Sequence, residues 1–208
     1  MNDHSPPYTC LGIFRRHGRC AQVATIGIAI VALCFPLFVS SSAPAHETET
    51  EPSFPHRSLL HEGYDAFRHG AFEQAAEMWQ QAVRSSHDAG LVVEESDARV
   101  ALARAYLSLG FHTRAAQNLD VAVVLTQGKD RSRQAAAMEL LGQAYLAGGR
   151  PDAALDTLQA ARQSASEAGD QMRAASIVHS LGAVQSALNQ DQAALASYSE
   201  ARRLAASV

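Results

Sequence analysis

The sequence predicts an all-α fold, an α-solenoid of four helix-turn-helix repeats with about eight helices. A small residue recurs at Gly63, Ala103, Gly142 and Gly182, that is, at spacings of 40, 39 and 40 residues. In each copy a turn residue follows after seven positions, an alanine after five more, and a large apolar residue after a further four. The copies read Gly63, Gly70, Ala75, Trp79; Ala103, Gly110, Ala115, Leu119; Gly142, Gly149, Ala154, Leu158; and Gly182, Asn189, Ala194, Tyr198. Small residues on both sides of a turn let two helices cross closely, and stacked copies then bury the apolar face that one repeat leaves open.

The ends of the helices follow from the turn residues. A residue able to take a left-handed conformation stands in every predicted turn, where it would end the preceding helix. The turns within repeats contain Gly70, Gly110, Gly148 with Gly149, and Asn189, and the turns between repeats contain Gly90, Gly128 and Gly169. Pro151 fits the first turn of a helix, where its missing N–H is not needed. We therefore expect repeats at about residues 57–90, 91–128, 129–169 and 170–208.

The four segments resemble the tetratricopeptide repeat (TPR), a helix-turn-helix unit. The third copy matches the pattern of that family well, through Leu141, Gly142, Tyr145, Ala154 and Leu158. The usual period is about 34 residues, so the copies here are long, similar to those of bacterial multi-repeat proteins that include the arrays preceding caspase-like CHAT domains. The resemblance covers roughly residues 56 to 208. It implies a right-handed superhelix in which the first helix of each repeat lines the concave side.

An apolar leader helix is predicted before the repeats. Three arginines precede an apolar run from Ala21 to Val39, and small residues around Ala45 follow it. This order is typical of a signal peptide at residues 1–45, cleaved after Ala45, although an uncleaved signal anchor is the alternative. Both interpretations put the repeats outside the cytoplasm, as a periplasmic or secreted protein or anchored to the inner membrane, because the arginines stay inside. Residues 46–56 are acidic, contain proline and predict a flexible linker.

Composition argues against several classes of function. The formal net charge is -4, and the residues after Ala45 carry 14 basic and 20 acidic side chains, a net charge of -6. Nucleic acid is not an expected partner, because binding to phosphates needs a basic surface. The cysteines are Cys10, Cys20 and Cys34, all in or before the apolar run, so the repeats have no thiol chemistry and no disulfide.

The repeats also lack the motifs of catalysis and of cofactor binding. No G-x-S-x-G, G-x4-G-K-[ST] or H-E-x2-H motif is found, so we predict a non-catalytic protein without a cofactor. His61, Asp65 and His69 follow one another at four-residue intervals and are a candidate metal site on one helical face. We favour a solvated polar face instead, as expected on the outer side of a first helix, and predict no metal.

The resemblance to TPR proteins implies a partner-binding concave face. The candidate residues on it are Arg57, Leu60, Tyr64, Phe67, Arg68, Arg104, Leu107, Glu139, Gln143 and His179. They are apolar and aromatic towards the N-terminus and polar towards the other end, which suits a peptide or helix with apolar anchors. Alternatively, Leu60, Phe67 and Leu107 are ordinary core residues. The lysine and asparagine set with which one TPR subclass binds chaperone C-termini is missing.

The predicted function is that of an exported scaffold or adaptor that binds a protein or peptide on its concave face. Two alternatives are a recruitment module of a CHAT-type protease system and a homo-oligomerisation module. The last repeat carries apolar residues that a following helix would usually cover, namely Ile177, Leu181, Val184, Leu195, Tyr198 and Leu204. An uncapped apolar end of this kind favours a homodimer through that repeat or the docking of a partner.

Overall fold

The computed structural model describes residues 55–207, and this part of the chain contains eight α-helices and no strand. The helices are α1 (Pro55–Arg68), α2 (Phe72–Asp88), α3 (Val92–Ser108), α4 (His112–Thr126), α5 (Arg131–Ala147), α6 (Pro151–Glu167), α7 (Gln171–Ala187) and α8 (Asp191–Ala206). Each helix packs against the next along the chain, so the predicted all-α array of helix pairs is confirmed. None of these eight helices is long and apolar enough to cross a membrane. The predicted leader, its cleavage site after Ala45 and residues 46–54 lie outside the described residues.

Helix α1 begins earlier than the sequence analysis expects. Residues 55 and 56 belong to the predicted linker, yet both are helical. A proline is compatible with the first turn of a helix, since that turn needs no N–H donor at this position. His56 is only 2% exposed, so burial accompanies the helical conformation of this first turn.

The turns have the backbone conformation that the sequence predicts. Each of the seven turns contains one residue with positive φ, a glycine in six of them and Asn189, with φ 59°, in the last. Asparagine tolerates this region better than other non-glycine residues. In six turns the same hydrogen bond closes the helix, as from the Arg150 N–H to the Tyr145 carbonyl at 2.8 Å, a Schellman arrangement.

The turn between α4 and α5 explains the one irregular spacing of 39 residues. Helix α4 has 15 residues, whereas α2 has 17. The turn after α4 spans residues 127–130, one more than the turn at 89–91 after α2. The shorter helix and the longer turn together make the second repeat one residue shorter than the first. The third and fourth repeats keep the same order of helices and turns.

The small residues and the large residues of the repeat motif contact each other. In three repeats a glycine on the first helix lies directly under the large side chain that follows sixteen residues later on the second helix. A Cβ atom would lie 2.4 Å from Trp79 Nε1 at Gly63, 2.5 Å from Leu158 Cγ at Gly142, and 2.7 Å from Tyr198 Cε1 at Gly182. The second repeat combines Ala103 with Leu119, and both are fully buried. The motif is therefore a packing motif, as predicted from the spacing.

Two groups of buried residues form the core. The first extends from α1 to α5 and contains Trp79 and Leu119, and the second extends from α5 to α7 and contains Leu158. Ile177 and Leu181, which the sequence analysis places among the residues that need a further helix, are buried in the second group, at 0% and 4% exposure. Val184, at 0%, is buried with them. That expectation is wrong for these three residues, because their faces of α7 pack with α6.

Aspartates cap the two helices that follow the second and third repeats. The Asp130 carboxylate accepts a hydrogen bond from Arg133 N at 2.9 Å, and the Asp170 carboxylate accepts one from Arg173 N at 3.0 Å. Donation from these backbone N–H groups lowers the pKa of both carboxyl groups below the usual range. An ionised carboxylate also suits the positive end of a helix dipole, so both residues stabilise the starts of α5 and α7.

Candidate functional site on the inner face

The first helices of the repeats form the concave side of the array. Helix α1 contacts α3, α3 contacts α5, and α5 contacts α7. Within residues 55–207, the backbones of the second helices α2, α4, α6 and α8 do not approach one another, although an ion pair between Arg162 and Glu200 joins α6 and α8. The first helices are therefore closer together than the second helices, and the array curves around them. We call the surface formed by α1, α3, α5 and α7 the inner face.

Tyr64 and Arg104 lie on the contacting helices α1 and α3, in the N-terminal half of the inner face. Tyr64 is 44% exposed, and its ring lies edge-on against Trp79 with 5.1 Å between the ring centroids. Burial raises the pKa of the Tyr64 hydroxyl, the positive charge of Arg104 opposes this shift, and the negative charge of Asp97 adds to it. The two charged side chains therefore lie near the tyrosine. Arg104 is exposed and forms no ion pair or hydrogen bond with any side chain of the described residues.

The apolar candidates contribute more to the core than to the surface. Leu60, Phe67 and Leu107 are half-buried and pack against the first core group. The Phe67 ring contacts the ring of Trp79 at a centroid distance of 5.6 Å, and the indole Nε1 donates to the Leu60 carbonyl at 3.2 Å. These contacts favour the alternative that the sequence analysis left open, in which the three residues belong to the core.

Glu139 is engaged inside the array. It is only 7% exposed, and its carboxylate accepts hydrogen bonds from Arg173 Nη1 at 3.2 Å and from the Ser176 hydroxyl. Both donors are on α7, so this candidate connects α5 to α7 and does not present a free carboxylate. Gln143, one turn further along α5, is exposed and donates to the Ser180 hydroxyl at 3.4 Å.

The sequence analysis missed the side chains that join neighbouring first helices. Arg133 of α5 donates to Asp97 of α3 at 3.1 Å and to Asp130 at 2.6 Å. The three contacts from Asp97 to Arg133, from Glu139 to Arg173 and from Gln143 to Ser180 join residues that are 36, 34 and 37 positions apart. A search for complementary side chains slightly less than one repeat apart would have found all three.

The remaining candidates lie at the edges of the inner face. Arg57 and Arg68 are exposed, and Arg68 forms an ion pair with Asp65 of the same helix. His179 is exposed, and its ring lies 5.1 Å from that of Tyr198. It lines a cleft between α7 and α8 at the C-terminal end of the array, away from the α1–α3 part of the inner face.

The three residues proposed as a metal site make other contacts. The Asp65 carboxylate lies 3.3 Å from His61 Nδ1 and also binds Arg68, and a hydrogen bond from Arg68 lowers the pKa of this carboxyl group. His69 Nδ1 lies 2.7 Å from the backbone carbonyl of Asp65. Between residues 55 and 207, no three His, Cys, Asp or Glu side chains are arranged so that they could hold a metal ion.

Comparison with known proteins identifies the fold. No protein-family model matches the sequence, and neither does any curated protein. BtubC (BKLC) from P. vanneervenii is similar in structure, with a TM-score of 0.66 and 23% identity over 73% of this chain. The match covers 63% of BtubC, so the chain spans less than two thirds of that protein.

Two crystal structures of TPR-like repeats from a Podosopora anserina protein named as a kinesin light chain are also similar. Each has a TM-score of 0.50 and 19% identity, over 76% and 74% of this chain and 98% of the repeat protein. At this level of identity the likeness concerns the fold. Together with the eight helices in four packed pairs, it shows that this chain has the TPR-like α-solenoid fold.

Proposed function

We propose that this protein is an exported scaffold that binds a peptide or protein segment on the N-terminal half of its inner face. TPR-like repeats generally mediate protein–protein interactions, which supports the general class of function. The single observation that carries the finer proposal is that Arg104 and Tyr64, both exposed, lie on the contacting helices α3 and α1, close enough for the charge of Arg104 to act on the pKa of Tyr64. Arginine and tyrosine are enriched among residues that dominate binding energy.

The charges of the inner face indicate which kind of segment would bind. Two of its carboxylates are already engaged, since Asp97 accepts from Arg133 and Glu139 accepts from Arg173. Arg104 has no such partner among the described side chains. The ligand class that fits is therefore a segment with a carboxylate for Arg104 and an apolar or aromatic side chain for the ring of Tyr64.

The experiment for this proposal compares two exposed arginines. Wild-type protein, Arg104→Glu and Arg84→Glu are immobilised at equal amounts, and the captured partner is identified and its bound segment synthesised. We expect Arg104→Glu to weaken binding of that segment about tenfold or more, because one charge-assisted contact is lost and a repulsion is added. Arg84 lies exposed on α2, outside the inner face, and Arg84→Glu should bind as the wild type does.

The outcome is decided by affinity together with helical content. Circular dichroism should give the same helical content for all three proteins, since both arginines are exposed. If Arg104→Glu binds the segment with wild-type affinity, the inner-face proposal is wrong.

Export is supported by the order of charged, apolar and small residues before His46. We expect the mature protein recovered from the periplasm or the medium to begin at His46, as measured by intact mass. An intact mass that includes residues 1–45, in the membrane fraction, would instead show the signal anchor. Association with a CHAT-type protease stays a prediction of the sequence resemblance.

A further inference from the structure

The two ends of the helix array have different surfaces. The outward face of α1 is polar, whereas the corresponding positions of α3, forty residues later, are buried small or apolar residues. The residues on α1 are Ser58, His61, Glu62 and Asp65, and those on α3 are Ala98, Ala101, Leu102 and Ala105, with exposures of 0%, 0%, 3% and 0%. The α1 end of the array thus has the polar surface expected of a terminal repeat.

The other end of the array carries a cleft of about 500 Å³ between α7 and α8. It is lined by Met172, Ala175, Ser176, His179, Tyr198, Ala201, Arg202 and Ala205. Met172 is 61% exposed, and Leu195 on the neighbouring surface of α8 is 69% exposed. Exposed large apolar side chains beside a row of alanines are typical of an interaction surface. We call this surface the end cleft.

The third repeat shows what such a cleft accommodates. The residues of α8 that line the end cleft have counterparts forty positions earlier, on α6 of the third repeat. These counterparts are Leu158, Ala161, Arg162 and Ala165. The three apolar members of this set are fully buried, because α7 packs over them with Ile177 and Leu181. The end cleft therefore has the size and side-chain pattern of a surface that, one repeat earlier, holds a helix.

The charges of the end cleft select a type of helix. At the covered junction the carboxylate of Glu139 binds Arg173 of α7, whereas Arg162 binds Glu200 of α8 at 2.7 Å and lines one cleft together with Gln171 and Ala174 of α7. The corresponding positions of the end cleft are His179 and Arg202, and no acidic residue lines it. A matching helix must therefore provide carboxylates where α7 provides an arginine.

A second copy of this chain is a poor occupant of the end cleft. Two end clefts facing each other would pair two surfaces that each carry Arg202 and no acidic lining residue, so neither would offer a complementary charge. Head-to-tail stacking would place α1 of a second copy in the end cleft. Its Glu62 would then take the position that Leu181 of α7 has on the third repeat. Burial of that carboxylate against alanines would be costly.

We infer that the end cleft binds one amphipathic helix of another protein, with small and aliphatic residues on its buried stripe and carboxylates in its first turn. This site is separate from the α1–α3 part of the inner face, and binding there does not depend on Arg104. The carboxylates would face Arg202 and His179, and they would also be favoured by the positive end of the helix dipole. The scaffold would then bind two different partners at once.

The test uses two synthetic peptides with the apolar pattern of α7. The acidic peptide has glutamates at the positions that correspond to Gln171, Arg173 and Ala174, and the basic peptide has lysines there. Binding of each labelled peptide to the full chain is measured by fluorescence anisotropy. We expect the acidic peptide to bind about fivefold more tightly than the basic peptide, the size of effect of one or two partly exposed ion pairs.

Four variants make the test specific. Arg202→Glu should reverse the preference between the two peptides, whereas Arg203→Glu should leave it unchanged, because Arg203 is exposed but does not line the cleft. Ala205→Trp should fill the cleft and abolish binding of both peptides. Arg104→Glu should bind both as the wild type does, which separates this inference from the inner-face proposal.

Three results would overturn the inference. The first is that neither peptide binds the wild type, and the second is that Arg202→Glu keeps the preference for the acidic peptide. The third is that sedimentation velocity finds a dimer that Ala205→Trp converts to monomer, since the occupant would then be a second copy.

Discussion

Replacement of Trp79 by alanine is expected to lower the free energy of unfolding by about 3–5 kcal/mol. The indole is fully buried and fills the space above Gly63, where no Cβ atom fits. It also contacts the rings of Tyr64 and Phe67, and its Nε1 donates to the Leu60 carbonyl. The substitution therefore leaves a cavity between α1 and α2 and removes the side-chain hydrogen bond that joins the two helices.

The Trp79→Ala prediction has a matched control within the repeat motif. Leucine occupies the corresponding position in the second and third repeats, at Leu119 and Leu158. Trp79→Leu should therefore cost less than half as much, because the fold accepts leucine there and only part of the volume is lost. The measurement is urea unfolding followed by circular dichroism. A loss below about 1 kcal/mol for Trp79→Ala would show that the indole is not a main support of the first repeat.

Removal of the Arg173 side chain is expected to have the next largest effect, about 3 kcal/mol for Arg173→Ala. Arg173 donates to the buried carboxylate of Glu139 at 3.2 Å, and only the Ser176 hydroxyl would remain as its partner. Glu139 is 7% exposed, so an ionised carboxylate without a counter-charge would stay largely desolvated. The loss of free energy of unfolding would come from weaker packing of α5 against α7.

Two comparisons distinguish this effect from a general loss of surface charge. Arg133→Ala removes an arginine that also bridges two first helices but is 44% exposed, and it should cost less than about 1 kcal/mol. Addition of Glu139→Gln to Arg173→Ala should recover part of the lost stability, because the uncompensated charge is removed. If the double variant is less stable than Arg173→Ala alone, Glu139 does not need a counter-charge. Thermal and urea unfolding of the four proteins give the required values.

The fold could be predicted from the sequence because its repeat motif records direct contacts. A glycine at 63, 142 or 182 and a large residue sixteen positions later are in van der Waals contact, so their spacing reflects the crossing of two helices. The position of Asn189 is equally informative, since few residues adopt a φ of 59°. Such features are local to one helix pair and need no knowledge of the curvature of the array.

The candidate site could be predicted only in part, because it depends on how successive repeats are rotated against each other. The repeat register predicts Tyr64 and Arg104 on the same face, and the two residues lie on helices α1 and α3, which contact each other. The burial of Glu139 was not predicted, since it results from Arg173 and Ser176 of the next repeat. The register identifies the face of a helix, but the partner of each side chain depends on the distance between repeats.

The location of Trp79 offers a built-in optical probe. It is the single tryptophan of the chain and is buried between α1 and α2, whereas circular dichroism sums the signal of every helix in the chain. In a solenoid each repeat contacts only its neighbours, and its ends can melt before its centre. The difference in melting temperature between a tryptophan fluorescence curve and a circular dichroism curve therefore shows whether the α1 end unfolds before or after the rest of the array. No added label is needed.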